Sequence, residues 1–332
     1  MHLADQLLSA KIYLPAAAAA VAGLSYCAAR VRRDERRDME EGGFLGGAAG
    51  SIPLMGVMGA FVFAAQMVNF PVLPGTSGHL GGAVLLAILF GPFHASILMA
   101  SILIVQCLIF QDGGLLALGA NILNMGIVPA FVGAALYQML AFRRPFGRAF
   151  PGQQGAAFMA AWLGVLSGAL LVPFQVVYAG VTSLPLGGFL AVMIGVHAVI
   201  GLAEGLITVA VLKFIKQLYP LRAIGEHRMG ASGAVTLLLV VALLIGGGLS
   251  IFASGDPDGL EKAVAMSGHA GPEQAGEADP QQTKEPALSS PLPDYTVPGV
   301  GGVVSTALAG LTGTLGCFAI VLLLSYLTGR AR

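Results

Sequence analysis

Several apolar runs, each near or above the roughly 20 residues that a membrane-crossing helix needs, dominate this chain. Of its 332 residues, 56% are hydrophobic and only 10% are charged. A soluble domain carries about 25% charge. The sequence therefore predicts an all-α fold, a polytopic membrane helix bundle of about seven helices plus a two-helix C-terminal appendage.

Helix boundaries follow from charges and helix breakers. Predicted helices cover 10–30, 52–69, 79–90, 93–111, 115–141, 155–178, 187–216, 232–253 and 303–328. Gly91-Pro92 splits the third from the fourth, since proline breaks or kinks a helix interior. The third is then too short to span simply and has to be shielded by its neighbours, like the broken helices of transporters. Residues 14–29 have the apolar core of a signal peptide. No positive region precedes them, however, and Tyr26 stands where cleavage needs a small residue. We read an uncleaved first helix, stopped by Arg30, Arg32, Arg33, Arg36 and Arg37.

Basic residues mark cytoplasmic loops. An extracytoplasmic N-terminus and a cytoplasmic C-terminus place 14 of the 17 Lys and Arg inside, leaving only Lys11, Lys262 and Lys284 outside. The expected location is the cytoplasmic (inner) membrane. Phe70–Gly78 is then an outside loop leading to His79, and Gln111–Gly114 an outside turn. Residues 254–300 form a polar outside loop with eight acidic residues against two lysines. Its middle, 265–297, reads as a solvated linker. Small residues at Gly164/Gly168 and Gly201/Gly205 suit close helix packing in lipid. Cys27, Cys107 and Cys317 lie in separate apolar segments and read as small buried residues.

The polar residues that carry chemistry begin at the N-terminus. With Met1 retained, the free amine is followed at once by an imidazole. The amine and the deprotonated amide nitrogen of His2 close a five-membered ring through a metal. That amide nitrogen and His2 Nδ1 close a six-membered one. A fourth planar position remains, and nitrogen-rich tetragonal sites suit Ni(II) and Cu(II). His79 lies on the same predicted side of the membrane and can fill it.

Other candidates are assigned differently. Asn121 and Asn124 share a helix face. With Gln66, Asn69 and Gln106, they read as interhelical hydrogen-bonding groups, with orientation of the ligands as the sharper alternative. Thr76 and Ser77 stand just before His79 as supporting residues. His197 and Glu204, seven apart, read as a buried packing or gating pair and not as ligands. His94 falls in an inside turn, and His227 and His269 fall in loops. Met125, Met159 and Met193 read as packing. No P-loop, HExxH or GxSxG motif is present, so no catalytic residue is assigned and the chain cannot hydrolyse ATP by a P-loop. Nothing marks a nucleic-acid surface.

These residues resemble the CbiM/NikM family, the metal-binding membrane components of energy-coupling-factor transporters for cobalt and nickel. The likeness rests on Met1-His2, GTSGHLGGAVLLAILFGP (75–92), FQDGGLLALGANILNMGIV (110–128) and GVHAVIGLAEGLIT (195–208). It implies a metal held by the Met1 amine, the His2 amide and imidazole nitrogens, and His79. Family members often follow Met-His with a glycine-containing turn; here Leu3-Ala4-Asp5-Gln6-Leu7 has none.

Asp256-Pro257-Asp258-Gly259-Leu260-Glu261 is similar to the PDGLE domain of the small accessory N component. The chain thus reads as a fusion of a metal-binding unit (1–218), a cytoplasmic hinge (219–231) and a PDGLE-like helix–loop–helix unit (232–332). In that reading Asp256, Asp258 and Glu261 form an accessory loading motif. The resemblance implies a transmembrane coupling protein and cytoplasmic ATPases as partners, with Ni2+ or Co2+ as transported ligand and no cofactor. The alternative is an ATP-independent metal permease or channel.

Overall fold

A computed structural model describes residues 1–40, 48–143, 152–181, 184–218, 231–268 and 290–330. Most of the expected hinge, His227, His269 and loop residues 269–289 lie outside the described residues. The N-terminal segment carries a 3-10 turn at Asp5–Leu7. Then come α1 (Ala10–Glu40), α2 (Ala48–Gln66), β1 (Phe70–Leu73), β2 (Thr76–Gly78), α3 (Ala83–Phe90) and α4 (Pro92–Phe110). A continuous helical run follows: α5 (Leu118–Asn121), a π-helical stretch (Ile122–Ile127), α6 (Val128–Gln138) and a second π stretch (Met139–Arg143). The remaining helices are α7 (Gly152–Ala179), α8 (Leu186–Leu218), α9 (Ala231–Gly247), α10 (Gly259–Gly268) and α11 (Gly302–Arg330).

Among the described residues, seven helices are long and apolar enough to cross a membrane, and Ile52–Gln66 adds a shorter apolar one. The protein is an all-α, multi-pass membrane bundle. The break at Gly91-Pro92 is present: Gly91 has φ +83° and Pro92 opens α4. At eight residues, α3 is only about 12 Å long. It survives because neighbours surround it, and Ala83 through Ala87 are all buried.

Two local expectations are corrected. Phe70–Gly78 is not an irregular loop: β1 and β2 pair as an antiparallel hairpin, with Phe70 opposite Gly78. His79 is not a helix residue, because α3 begins at Ala83. The cause is Gly82, whose φ of +82° is left-handed and whose missing side chain makes room for Val62. His79 thus sits on an extended stretch between hairpin and helix.

The appendage does not stand apart. One buried cluster joins Phe63, Leu85, Met99, Ile102 and Phe110 of the first half to Leu238, Ala242, Ala309, Cys317 and Val321 of the second. Helices α9 and α11 meet where Gly246 and Gly310 bring their backbones together, and a side chain on Gly310 would strike the Gly246 carbonyl. Close backbone approach at small residues is how helices gain packing energy in lipid. The expected solvated linker at 265–297 is also corrected at both ends. Residues 265–268 are helical, and the Leu292 amide donates to the Ile109 carbonyl at 2.9 Å.

Candidate metal centre

The N-terminal segment is driven into the bundle by Leu3 and Leu8, both buried. Asn121, at the start of the π stretch, grips Leu3 in both directions. Its Oδ1 accepts the Leu3 amide at 2.8 Å, and its Nδ2 donates to the Leu3 carbonyl at 3.0 Å. Asp5 Oδ1 accepts the Ala117 amide at 2.9 Å, so a turn without glycine still docks. This clamp fixes where residues 1 and 2 lie. The Met1 amine is 3.2 Å from His79 Nε2, and the His2 and His79 rings stack with centroids 5.5 Å apart.

Hydrogen bonds set the ring protons. His79 Nδ1 donates to the Leu80 carbonyl at 3.0 Å, leaving the Nε2 lone pair facing the amine. For His2 the setting is longer-range. Gln66 Nε2 donates to the Gly81 carbonyl at 2.8 Å, so its Oε1 accepts Gln106 Nε2, also at 2.8 Å. Gln106 must then present Oε1 to His2 Nε2, 3.1 Å away. A neutral imidazole has one donor and one acceptor nitrogen. The relay therefore offers an acceptor to a proton on Nε2, while Nδ1 faces the Asp112 carboxylate, a contact that a metal on Nδ1 would replace. Fixing a ligand imidazole through its other nitrogen is a recurrent feature of metal sites. Gln66 and Gln106 thus do more than tie helices together.

His2 Nδ1 lies 3.0 Å from Asp112 Oδ1, and the Tyr295 hydroxyl donates to Asp112 Oδ2 at 2.6 Å. Sequence reasoning gave neither residue a role. Asp112 had one usable signal, a carboxylate in a turn on the His2 side; Tyr295, in a proline-rich loop, had none.

The DPDGLE segment closes the site from above, and each of its residues has a local reason. Asp258 Oδ1 caps α10 by accepting the Leu260 and Glu261 amides at 2.7 and 2.9 Å. Glu261 returns the bond to the Asp258 amide at 2.9 Å, completing a reciprocal capping box. That leaves Oδ2 for the Met1 ammonium, 2.5 Å away. A side chain at Gly259 would meet His197 Cε1 at 2.8 Å, and Leu260 is buried. Ser77 accounts for the backbone: its amide donates to the Pro257 carbonyl at 2.9 Å and its hydroxyl to the Asp256 carbonyl at 2.7 Å. The Asp256 side chain is exposed and bonds only locally, to Ser254.

The remaining candidates separate. Thr76 is buried in the hairpin. Asn124 pairs with Gln175 of α7 at 2.6 and 2.9 Å, a helix–helix tie away from the ligands. His197 donates to the Met193 carbonyl at 2.8 Å, while both Glu204 oxygens take the Gly81 and Gly82 amides at 2.6 and 2.8 Å. The expected His–Glu contact is therefore replaced by separate partners. His94 bonds the Phe90 carbonyl at the α3–α4 elbow. A cavity lined by Met1, His79, Asp258, His197, Glu204 and Met125 joins the site to the bundle interior, so Met125 faces a cavity as well as packing.

Burial pushes the imidazole of His79 down to about 3, helped by the nearby N-terminal charge and His2. His2 is lowered by burial against the pull of Asp112. Burial alone would raise the Asp258 carboxyl, but the ammonium beside it and the Glu261 contact hold it below the usual range. The histidine shifts set a stability window. Between pH 6.5 and about 3 the unfolded chain binds a proton at residue 79 that the folded protein refuses. Stability therefore falls on acidification, by about 1.4 kcal/mol per pH unit for that group. Thermal unfolding in detergent should show a lower midpoint at pH 5 than at pH 7. A His79→Gln variant should show a smaller drop; equal drops would contradict this assignment.

A part-buried amine and two imidazoles thus converge in a membrane bundle, beside an internal cavity that Met1 and His79 line; such a cluster of nitrogen donors suits a transition-metal ion. The chain belongs to the cobalt uptake substrate-specific transmembrane region family, CbiM, whose family model matches residues 2–221; a PDGLE domain matches 232–330. It is 36% identical over 283 residues to a putative fused nickel transport protein, NikMN, of Archaeoglobus fulgidus, covering 84% of this chain and 86% of that one. It is 38% identical over 167 residues to cobalt transport protein CbiM 1 of Pelobacter propionicus, covering 48% and 70%. A crystal structure of a transition metal transporter superposes with a TM-score of 0.55 at 26% identity, over 67% of this chain and 100% of that one.

Proposed function

We propose that this protein captures Ni2+ or Co2+ on the extracytoplasmic side of the inner membrane and passes it inward as the substrate-binding component of an ATP-driven, energy-coupling-factor transporter. The Met1 amine, the His2 amide nitrogen and Nδ1, and His79 Nε2 are the ligands. The observation that carries this reading is the 3.2 Å approach of the amine to His79 Nε2, with His79 Nδ1 tied to the Leu80 carbonyl and His2 Nε2 beside the Gln106 amide oxygen. Closing the six-membered chelate ring brings the ion to His2 Nδ1, beside Asp112. Planar nitrogen ligation leans toward nickel.

The protein hydrolyses no ATP itself; a transmembrane coupling protein and cytoplasmic ATPase subunits supply that step. The N-terminus lies outside and the C-terminus inside, which keeps the arginine-rich ends of the helices cytoplasmic. Asp256, Asp258 and Glu261 were read from sequence as a loading motif. The contact of Asp258 with the amine supports placing that residue in the site itself, with Glu261 shaping it and Asp256 peripheral.

The test has two parts. Purified protein should retain nickel or cobalt through gel filtration, and competition should rank the two. Uptake of labelled metal by cells should require co-expressed coupling protein and ATPases. Full uptake without them would favour the alternative, an ATP-independent permease.

A further inference from the structure

The helical run that begins at Leu118 widens at Ile122–Ile127, where the Val128 amide bonds the Leu123 carbonyl, five residues back. Such wide turns are rare and often fall at functional sites. Pro129 supplies a cause. It has no amide with which an α turn could close on the Met125 carbonyl, and its ring would crowd that oxygen. Placed in the first turn of α6, directly after the wide turn, it avoids both costs. Two contacts then brace the wide turn on α7. Asn124, which is buried, exchanges hydrogen bonds of 2.6 and 2.9 Å with Gln175. A side chain on Gly168 would strike the Asn124 carbonyl, so the two backbones meet there. At the other end of the wide turn stands Asn121, which grips the Leu3 backbone in both directions. An α-helix rotates by about 100° per residue. If the wide turn tightened to an α turn while α6 stayed in place, Asn121 would swing by about that angle and leave Leu3.

We propose that Pro129, Asn124 and Gln175 are positioning residues for the metal ligands: they hold the wide turn open, and the turn aims Asn121 at the segment that carries Met1 and His2. This rests on the ligand reading above and extends it. The three act through Asn121 and not on the ion. Helix α7 contributes no ligand, yet it reaches the chelate by this route: parting Gln175 from Asn124 loosens the grip on Leu3. Coupling of this kind is reciprocal, so a bound ion also favours the braced position of α7.

The experiment measures nickel affinity and the thermal midpoint of the full-length protein in detergent. Gln175→Leu should weaken nickel binding about 10-fold, as loss of a group that supports a ligand does. Asn121→Ala should weaken it at least as much. In the Asn121→Ala background, Gln175→Leu should still lower the midpoint but take nothing further from affinity, because its route to the ion is already cut. A merely structural role would leave affinity alone or subtract equally in both backgrounds. Exchanging the pair, Asn124→Gln with Gln175→Asn, keeps both side-chain amides and should restore affinity. Wild-type affinity in Gln175→Leu, equal losses in both backgrounds, or a folded exchange variant that restores nothing overturns the proposal. Should Gln175→Leu fail to fold, Pro129→Ala decides, since alanine is the best helix former and lets the turn tighten. Weakened nickel binding there supports the proposal, and unchanged binding overturns it. His2→Ala is the control for the underlying reading: retained nickel binding there defeats the chelate itself, whereas wild-type affinity in Gln175→Leu defeats only the positioning route.

Discussion

Replacing His2 by alanine is expected to abolish high-affinity nickel binding while the protein stays folded. The side chain supplies one nitrogen and sets the geometry of the fused rings. Loss of a group that merely orients a ligand costs 10- to 100-fold in affinity, so loss of the ligand itself should exceed ~100-fold. The fold should tolerate the change because Leu3, not His2, anchors the segment through Asn121 and the Gly114 amide. His79→Ala should behave alike, removing the fourth nitrogen. Equilibrium dialysis with nickel, beside a thermal melt, reads both variants. A one-residue insertion after Met1 is the wrong probe, because an amine two residues before a histidine forms a four-nitrogen chelate without His79. Two inserted glycines move the amine by up to about 7 Å from its partners and break the rings without that artefact. Near-normal affinity in a folded His2→Ala protein would remove the chelate from consideration.

Much of the fold was legible because the bilayer imposes a coarse rule. Long uncharged runs must become helices, and Gly91-Pro92 must interrupt one of them. The hairpin was not legible. Strands of four and three residues with a proline in one carry little periodic signal, and only the packing of Ser77 on the DPDGLE backbone shows what it is for. The convergence of Met1, His2 and His79 could be argued from topology, since all three were placed on one side. Their partners could not. Gln66 and Gln106 were visible as costly amides, but which way each amide points depends on the Gly81 carbonyl, a backbone atom that no sequence pattern marks. Asp258 was visible as part of a motif, while its role depends on an α10 cap that ties up one oxygen and frees the other. Long-range contacts between ordinary turn residues, such as Asp112 and Tyr295, leave no local trace.

Glu204→Gln should lower both stability and metal affinity without changing the spectrum of the bound ion. Each Glu204 oxygen accepts one amide, from Gly81 and Gly82, at the point where the chain enters α3. The first amides of a helix have no partner inside it, and a carboxylate there is favoured by the helix dipole. Glutamine keeps one oxygen and turns an NH2 group against the other amide. A buried donor left without an acceptor costs about 1–3 kcal/mol. The disturbance cannot stay local, because Gly81 lies two residues after His79 and its carbonyl starts the Gln66–Gln106 relay to His2. Both imidazoles lose part of their support, so affinity should fall by about 10-fold. The ion that still binds should keep its absorption bands, because the Glu204 oxygens are engaged by the Gly81 and Gly82 amides rather than serving as ligands. A folded Glu204→Gln protein with altered bands would make Glu204 a ligand, and wild-type stability would deny it the role of anchoring α3.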